Sequence, residues 1–88
     1  MKLIIAVLRD VDHEPVSNAL TADGFRVTMV ASTGGFFRRG SSTLLIGLEN
    51  DQVEKAIDLI RRNCTPADAP AQKRATIFVL PVENLVQL

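Results

Sequence analysis

Phe25-Arg26-Val27-Thr28-Met29-Val30-Ala31 and Ser42-Thr43-Leu44-Leu45-Ile46-Gly47-Leu48 are two apolar stretches separated by Ser32-Thr33-Gly34-Gly35-Phe36-Phe37-Arg38-Arg39-Gly40. In the first, Phe25, Val27, Met29 and Ala31 alternate with Arg26, Thr28 and Val30, the period of a strand covered on one face. Arg26 and Thr28 therefore point the same way. In the second, Leu44, Ile46 and Leu48 fall on one face, with Thr43, Leu45 and Gly47 on the other. Two strands joined by a glycine-rich loop make a hairpin.

Working outward from the hairpin, residues 2–8 form a continuous apolar run rich in β-branched side chains and bounded by charge. That is the pattern of a central strand covered on both faces. Residues 12–23 follow as a short helix, with an aspartate as cap, Pro15 in the first turn, an apolar face of Val16, Ala19 and Leu20, and Gly24 as the left-handed stop. Beyond the hairpin, Asp51 and Glu54 resemble a capping box, and Val53, Ala56, Ile57, Ile60 and Cys64 recur at helical spacing to about Asn63. Residues 65–74, with two prolines, form a loop. Residues 75–82 are a second apolar strand, and Pro81 near its end argues for an edge position or a break in pairing there.

The order β-α-β-β-α-β predicts an α+β, ferredoxin-like fold, with both helices on one face of a four-stranded antiparallel sheet. Helices on one face leave the other bare, although residues 2–8 and 75–82 are apolar on both. An uncovered apolar face implies a partner, most simply further copies of the chain.

Composition narrows the function classes. The 88 residues are expected to form one domain, 1–88, with a core small enough that burial between subunits would add stability. Ten basic and ten acidic residues give a formal net charge of zero, so no global field draws the chain to nucleic acid or to an anionic membrane. Lys2 and the apolar run after it are too short for a secretory signal, and no stretch reaches the ~20 apolar residues of a membrane span. The single cysteine, Cys64, has no intramolecular partner, which suits a reducing compartment and predicts a cytoplasmic address.

Chemistry concentrates in the hairpin loop. Consecutive glycines at Gly34 and Gly35 let several backbone N–H groups converge on one concavity, and such nests bind phosphate. Arg26, Arg38 and Arg39 bring guanidinium forks that match paired phosphate oxygens. Phe36 and Phe37 supply rings on which a base can stack, worth about 1–3 kcal/mol each. Thr28, Thr33, Ser41 and Ser42 add hydroxyls. Phosphate donors beside stacking surfaces describe a nucleotide site, whereas each feature taken singly also suits a plain turn, a subunit contact or a solvated tip. The glycine fingerprints of the Rossmann and P-loop folds are absent. Asp10, Asp12 and Glu14 are accounted for by helix capping, His13 by an exposed first turn and Cys64 by a buried helix end. Nothing near any serine is set to activate a nucleophile, so catalysis is not expected.

Lys2 to Val7, Phe25-Arg26-Val27-Thr28, Ala31-Ser32-Thr33-Gly34-Gly35-Phe36 with Arg38 and Gly40, and Ala75-Thr76-Ile77-Phe78-Val79-Leu80-Pro81-Val82-Glu83 together resemble the PII-like cyclic di-AMP receptor family. The resemblance implies a cytoplasmic homotrimer of ferredoxin-like subunits that binds its dinucleotide between subunits and signals to a downstream protein. Its regulatory ligand would be cyclic di-AMP, with no cofactor or metal. By position it puts Arg26, Thr28, Thr33, Gly34, Gly35, Phe36, Phe37, Arg38, Ser41, Gly47 and Gln87 on the ligand. Ser41 stands where the family has asparagine and Phe37 where it has leucine, and Leu85 and Leu88 replace aromatics that flank the tail glutamine. The main departure is the stretch 65–74, about ten residues where the family carries a long loop over the ligand. Two alternatives stay open, a binder of another nucleotide such as ATP or ADP, and a ligand-free trimeric interaction module.

Overall fold

In the computed structural model, which describes residues 1–30, 41–65 and 74–88, four strands and two α-helices follow in the expected order. They are β1 (Lys2–Arg9), α1 (Asp10–Ala22), β2 (Arg26–Val30), β3 (Ser41–Leu48), α2 (Val53–Asn63) and β4 (Ala75–Pro81), with a short 3-10 turn at Asn50–Gln52 before α2. The sheet order is β2-β3-β1-β4 and every neighbouring pair is antiparallel, which is the ferredoxin-like arrangement. β1 is central, as its continuous apolar run predicted, and β4 is an edge strand that ends at Pro81.

One face of the sheet carries the core. Ile4, Ala6 and Leu8 of β1 and Leu44, Ile46 and Leu48 of β3 are buried against Val16 and Leu20 of α1 and Ala56 and Ile60 of α2. α1 closes with a Schellman motif. Gly24 takes φ +92°, its N–H donates to the Thr21 carbonyl at 3.0 Å, and the Phe25 N–H donates to the Leu20 carbonyl at 3.0 Å. The motif turns the chain sharply enough that Phe25 is buried and Arg26 opens β2.

The opposite face has no helix over it. Strand register places Leu3, Ile5 and Val7 of β1 beside Gly47, Leu45 and Thr43 of β3, and beside Leu80, Phe78 and Thr76 of β4. Phe78 is 52% exposed and Leu80 is 42% exposed. The bare apolar face expected from the pattern is present.

Four local expectations are corrected. α1 begins at Asp10, two residues early, so Pro15 lies in its second turn and the ladder lacks one bond, the one Val11 would accept. No aspartate caps α1: Arg9 holds the cap position, Asp10 accepts a bond from the Ser42 hydroxyl, and Asp12 is fully buried in a polar cluster. His13 is half-buried rather than exposed. The chain enters α2 through Glu49 and Gln52, whose side-chain oxygen accepts from the Glu49 N–H at 3.2 Å, rather than through Asp51 and Glu54.

Candidate functional site

Arg26 and Thr28 occupy alternate positions of β2 on the face away from the helices, because Val27 between them packs into the core. Arg26 lies opposite Gly47 of β3, Gly47 opposite Leu3 of β1, and Leu3 opposite Leu80 of β4. One row across the open face thus reads cation, bare backbone, aliphatic, aliphatic. The next row reads Thr28, Leu45, Ile5 and Phe78.

The C-terminal tail crosses this face. The Val82 N–H donates to the Met1 carbonyl at 3.1 Å, carrying the chain past the end of β1. From there it reaches the far edge, where Arg26 donates through its Nη1 to the Gln87 side-chain oxygen at 3.5 Å. Tail and sheet enclose a cavity of ≈ 290 Å³. Arg26, Thr28, Gly47 and Gln87 supply its polar and open parts, and Lys2 adds a second cation. Leu3, Leu45, Val82 and Leu85, with Met1, make its walls apolar.

Each part has a chemical use. The guanidinium presents paired donors to phosphate oxygens. The Thr28 hydroxyl donates or accepts beside it, and the Gln87 amide can do both at once, as recognition of a base edge requires. Gly47 is exposed, and a side-chain carbon built on it would meet only the Met1 Cε, at 3.6 Å. Its missing side chain is therefore not demanded by packing among the described residues, and it keeps the floor open. Among the described residues the lining holds no carboxylate, histidine or cysteine, and its groups are suited to binding.

Four residues expected on the ligand, Arg26, Thr28, Gly47 and Gln87, are thus brought together. Ser41 is not among them. It pairs with Arg9 at the opposite end of the sheet, six positions along β3 from Gly47 and about 20 Å away at strand rise. Thr33, Gly34, Gly35, Phe36, Phe37 and Arg38 lie outside the described residues. Sequence reasoning missed Lys2, Leu3 and Val82, since their part depends on strand register and on the return of the tail. Lys2 is the one with a legible signal, a cation at the mouth of a central strand.

The polar cluster around Asp12 lies at the other end of β1. Arg9 donates to the Asp12 Oδ2 from Nε at 3.0 Å, and its Nη2 lies 2.9 Å from the same oxygen as an ion pair. The Oδ1 accepts from the Thr65 N–H at 2.8 Å and from the Thr65 hydroxyl at 2.7 Å. Burial pushes this carboxyl upward, but the Thr65 bonds and the Arg9 guanidinium outweigh it and hold it below the usual carboxylate range. Cys64 beside it is pushed up, by burial first and then by the negative Asp12.

A solved structure of a functionally unknown protein from Pediococcus pentosaceus ATCC 25745 superposes with a TM-score of 0.77 at 28% identity, covering 99% of this chain and 96% of that one. Among family models, the one for the cyclic-di-AMP receptor matches residues 1–73, a span that includes Arg26, Thr28 and Gly47. No helix among the described residues is long and apolar enough to cross a membrane. With that match over most of its length, the chain belongs to the cyclic-di-AMP receptor family.

Proposed function

We propose that the protein is a cytoplasmic, non-catalytic signalling receptor whose ligand is an adenine nucleotide second messenger, cyclic di-AMP. The ligand sits against the open sheet face, with Arg26 and Thr28 on phosphate and ribose, Gly47 as the floor and Gln87 on a base. Thr33 to Arg38 complete the site by analogy with the family, which also assigns Ser41 although it lies at the other end of β3 from this cavity. The observation that carries this reading is the convergence of Arg26, Thr28, Gly47 and Gln87 on one cavity.

The open face supports a trimer. Leu3, Ile5, Phe78 and Leu80 form a contiguous apolar surface without a helix over it, the kind of patch that subunit association removes from water. A cavity of ≈ 290 Å³ on one chain lies at the lower end of the usual range for small-molecule sites, so a dinucleotide would extend beyond it onto a neighbouring copy. The bound state is then relayed to a protein partner. Calorimetric titration of the purified protein with cyclic di-AMP and, separately, with ATP tests the reading. Saturable heat with cyclic di-AMP, and weaker or none with ATP, is expected; heat with ATP alone would assign a mononucleotide instead.

A further inference from the structure

Arg9 stands where two segments of the chain meet. Its backbone pairs with Ser41, where β3 begins after the β2–β3 connection, and its guanidinium donates to the carbonyl of Thr65, just past the end of α2 where the connection to β4 begins. The residues beside it repeat the pattern. Asp10 accepts from the Ser42 hydroxyl at 2.5 Å, and Asp12 accepts from both the amide and the hydroxyl of Thr65. One turn of chain, Arg9 to Asp12, therefore holds the stems of both segments.

We propose that this turn is a joint coupling the two stems, with Arg9 and Asp12 as its positioning residues. The Asp12 carboxylate is fully buried, and its three hydrogen bonds among the described residues all come from Arg9 and Thr65. If Thr65 leaves, an oxygen of a buried anion loses both its donors; if Arg9 shifts with Ser41, the same anion loses its counter-charge. Each departure exposes the other stem to the cost of an unpaired buried charge, so the two favour leaving or staying together. The cavity lies at the other end of β1, so the joint touches no candidate ligand-binding residue of the sheet other than Ser41. In the receptor reading, on which only this sentence and the ligand arm below rest, the joint passes a change at one stem, Ser41 or Thr65, to the other.

Amide hydrogen exchange on the full chain tests the coupling without any ligand. Asp12→Asn removes the anion and keeps the shape, while Asp58→Asn, on the surface of α2, is the control. Exchange is expected to rise on the order of tenfold both at Thr65 and at Ser41 to Thr43 in the Asp12 variant, and at neither place in the control. A rise confined to Thr65 overturns the proposal. Should Asp12→Asn raise exchange throughout the core, Thr65→Val, which removes only the hydroxyl, is read instead, and the same paired rise or its absence decides. In the ligand arm, Thr65→Val is expected to change cyclic di-AMP affinity about fivefold, although Thr65 is remote from the cavity. If the wild-type protein takes up no cyclic di-AMP, the receptor reading fails and the exchange comparison still decides the coupling.

Discussion

Arg26 and Gly47 face each other across the β2–β3 ladder, so the site's cation stands directly beside its barest stretch of floor. Arg26 is exposed and its one side-chain hydrogen bond among the described residues goes to the tail, to Gln87. Arg26→Ala therefore leaves the core untouched and removes a charge-assisted contact. Cyclic di-AMP affinity should fall by about 1.5–3 kcal/mol, roughly 10- to 150-fold, in calorimetry, with the melting temperature close to wild type.

Gly47 separates ligand space from packing. A leucine side chain there would enter the cavity, while its first carbon meets nothing nearer than the Met1 Cε at 3.6 Å. Gly47→Leu should abolish nucleotide binding while circular dichroism and thermal stability stay near wild type. Ala at the same position should weaken binding less.

How much of this was legible in the sequence differs from element to element. The period-two pattern put Arg26 and Thr28 on one face, and the β-branched run put β1 at the centre of the sheet, because burial dictates both patterns directly. The row from Arg26 through Gly47 and Leu3 to Leu80 was not legible, since it depends on the register of three strand pairs, which no single strand encodes. Gly47 and Gln87 were found through family resemblance alone. Asp12 was misread for a physical reason: an aspartate ahead of a helix ordinarily caps it, and only the fold shows that Thr65, 53 residues later, supplies the donors that bury it.

Asp12 also sets a pH dependence. Its pKa is lowered on folding, so its contribution to stability is fully present above the unfolded carboxylate value of 3.8 and is lost as pH falls through the lower folded value. Denaturant midpoints should therefore drop as pH falls below about 4 in the wild type, and less steeply in Asp12→Asn. At neutral pH that variant should be destabilised by about 3 kcal/mol, the scale of a buried pair that loses one partner.

Cys64 is buried, and its thiol is pushed up by burial and by Asp12, so the native protein holds little thiolate at neutral pH. Alkylation by iodoacetamide at pH 7.5 should be slow in the folded protein and fast in denaturant. Equal rates in the two states would mean that α2 ends more loosely than described.

The proposed trimer joins its copies through the apolar rows of the open face. Light scattering should give three times the 9.6 kDa chain mass, and Phe78→Glu, which places a charge on a half-exposed position of that face, should shift the protein toward monomer without unfolding it. An unchanged mass in Phe78→Glu would move the subunit contact elsewhere.

The most direct test of the central claim is to follow backbone amide resonances while cyclic di-AMP is added. Saturable shifts should concentrate at Arg26, Thr28, Gly47 and Gln87 and fade toward α2. No shifts at these residues, or shifts centred on α2 and the edge of β4, would contradict the account.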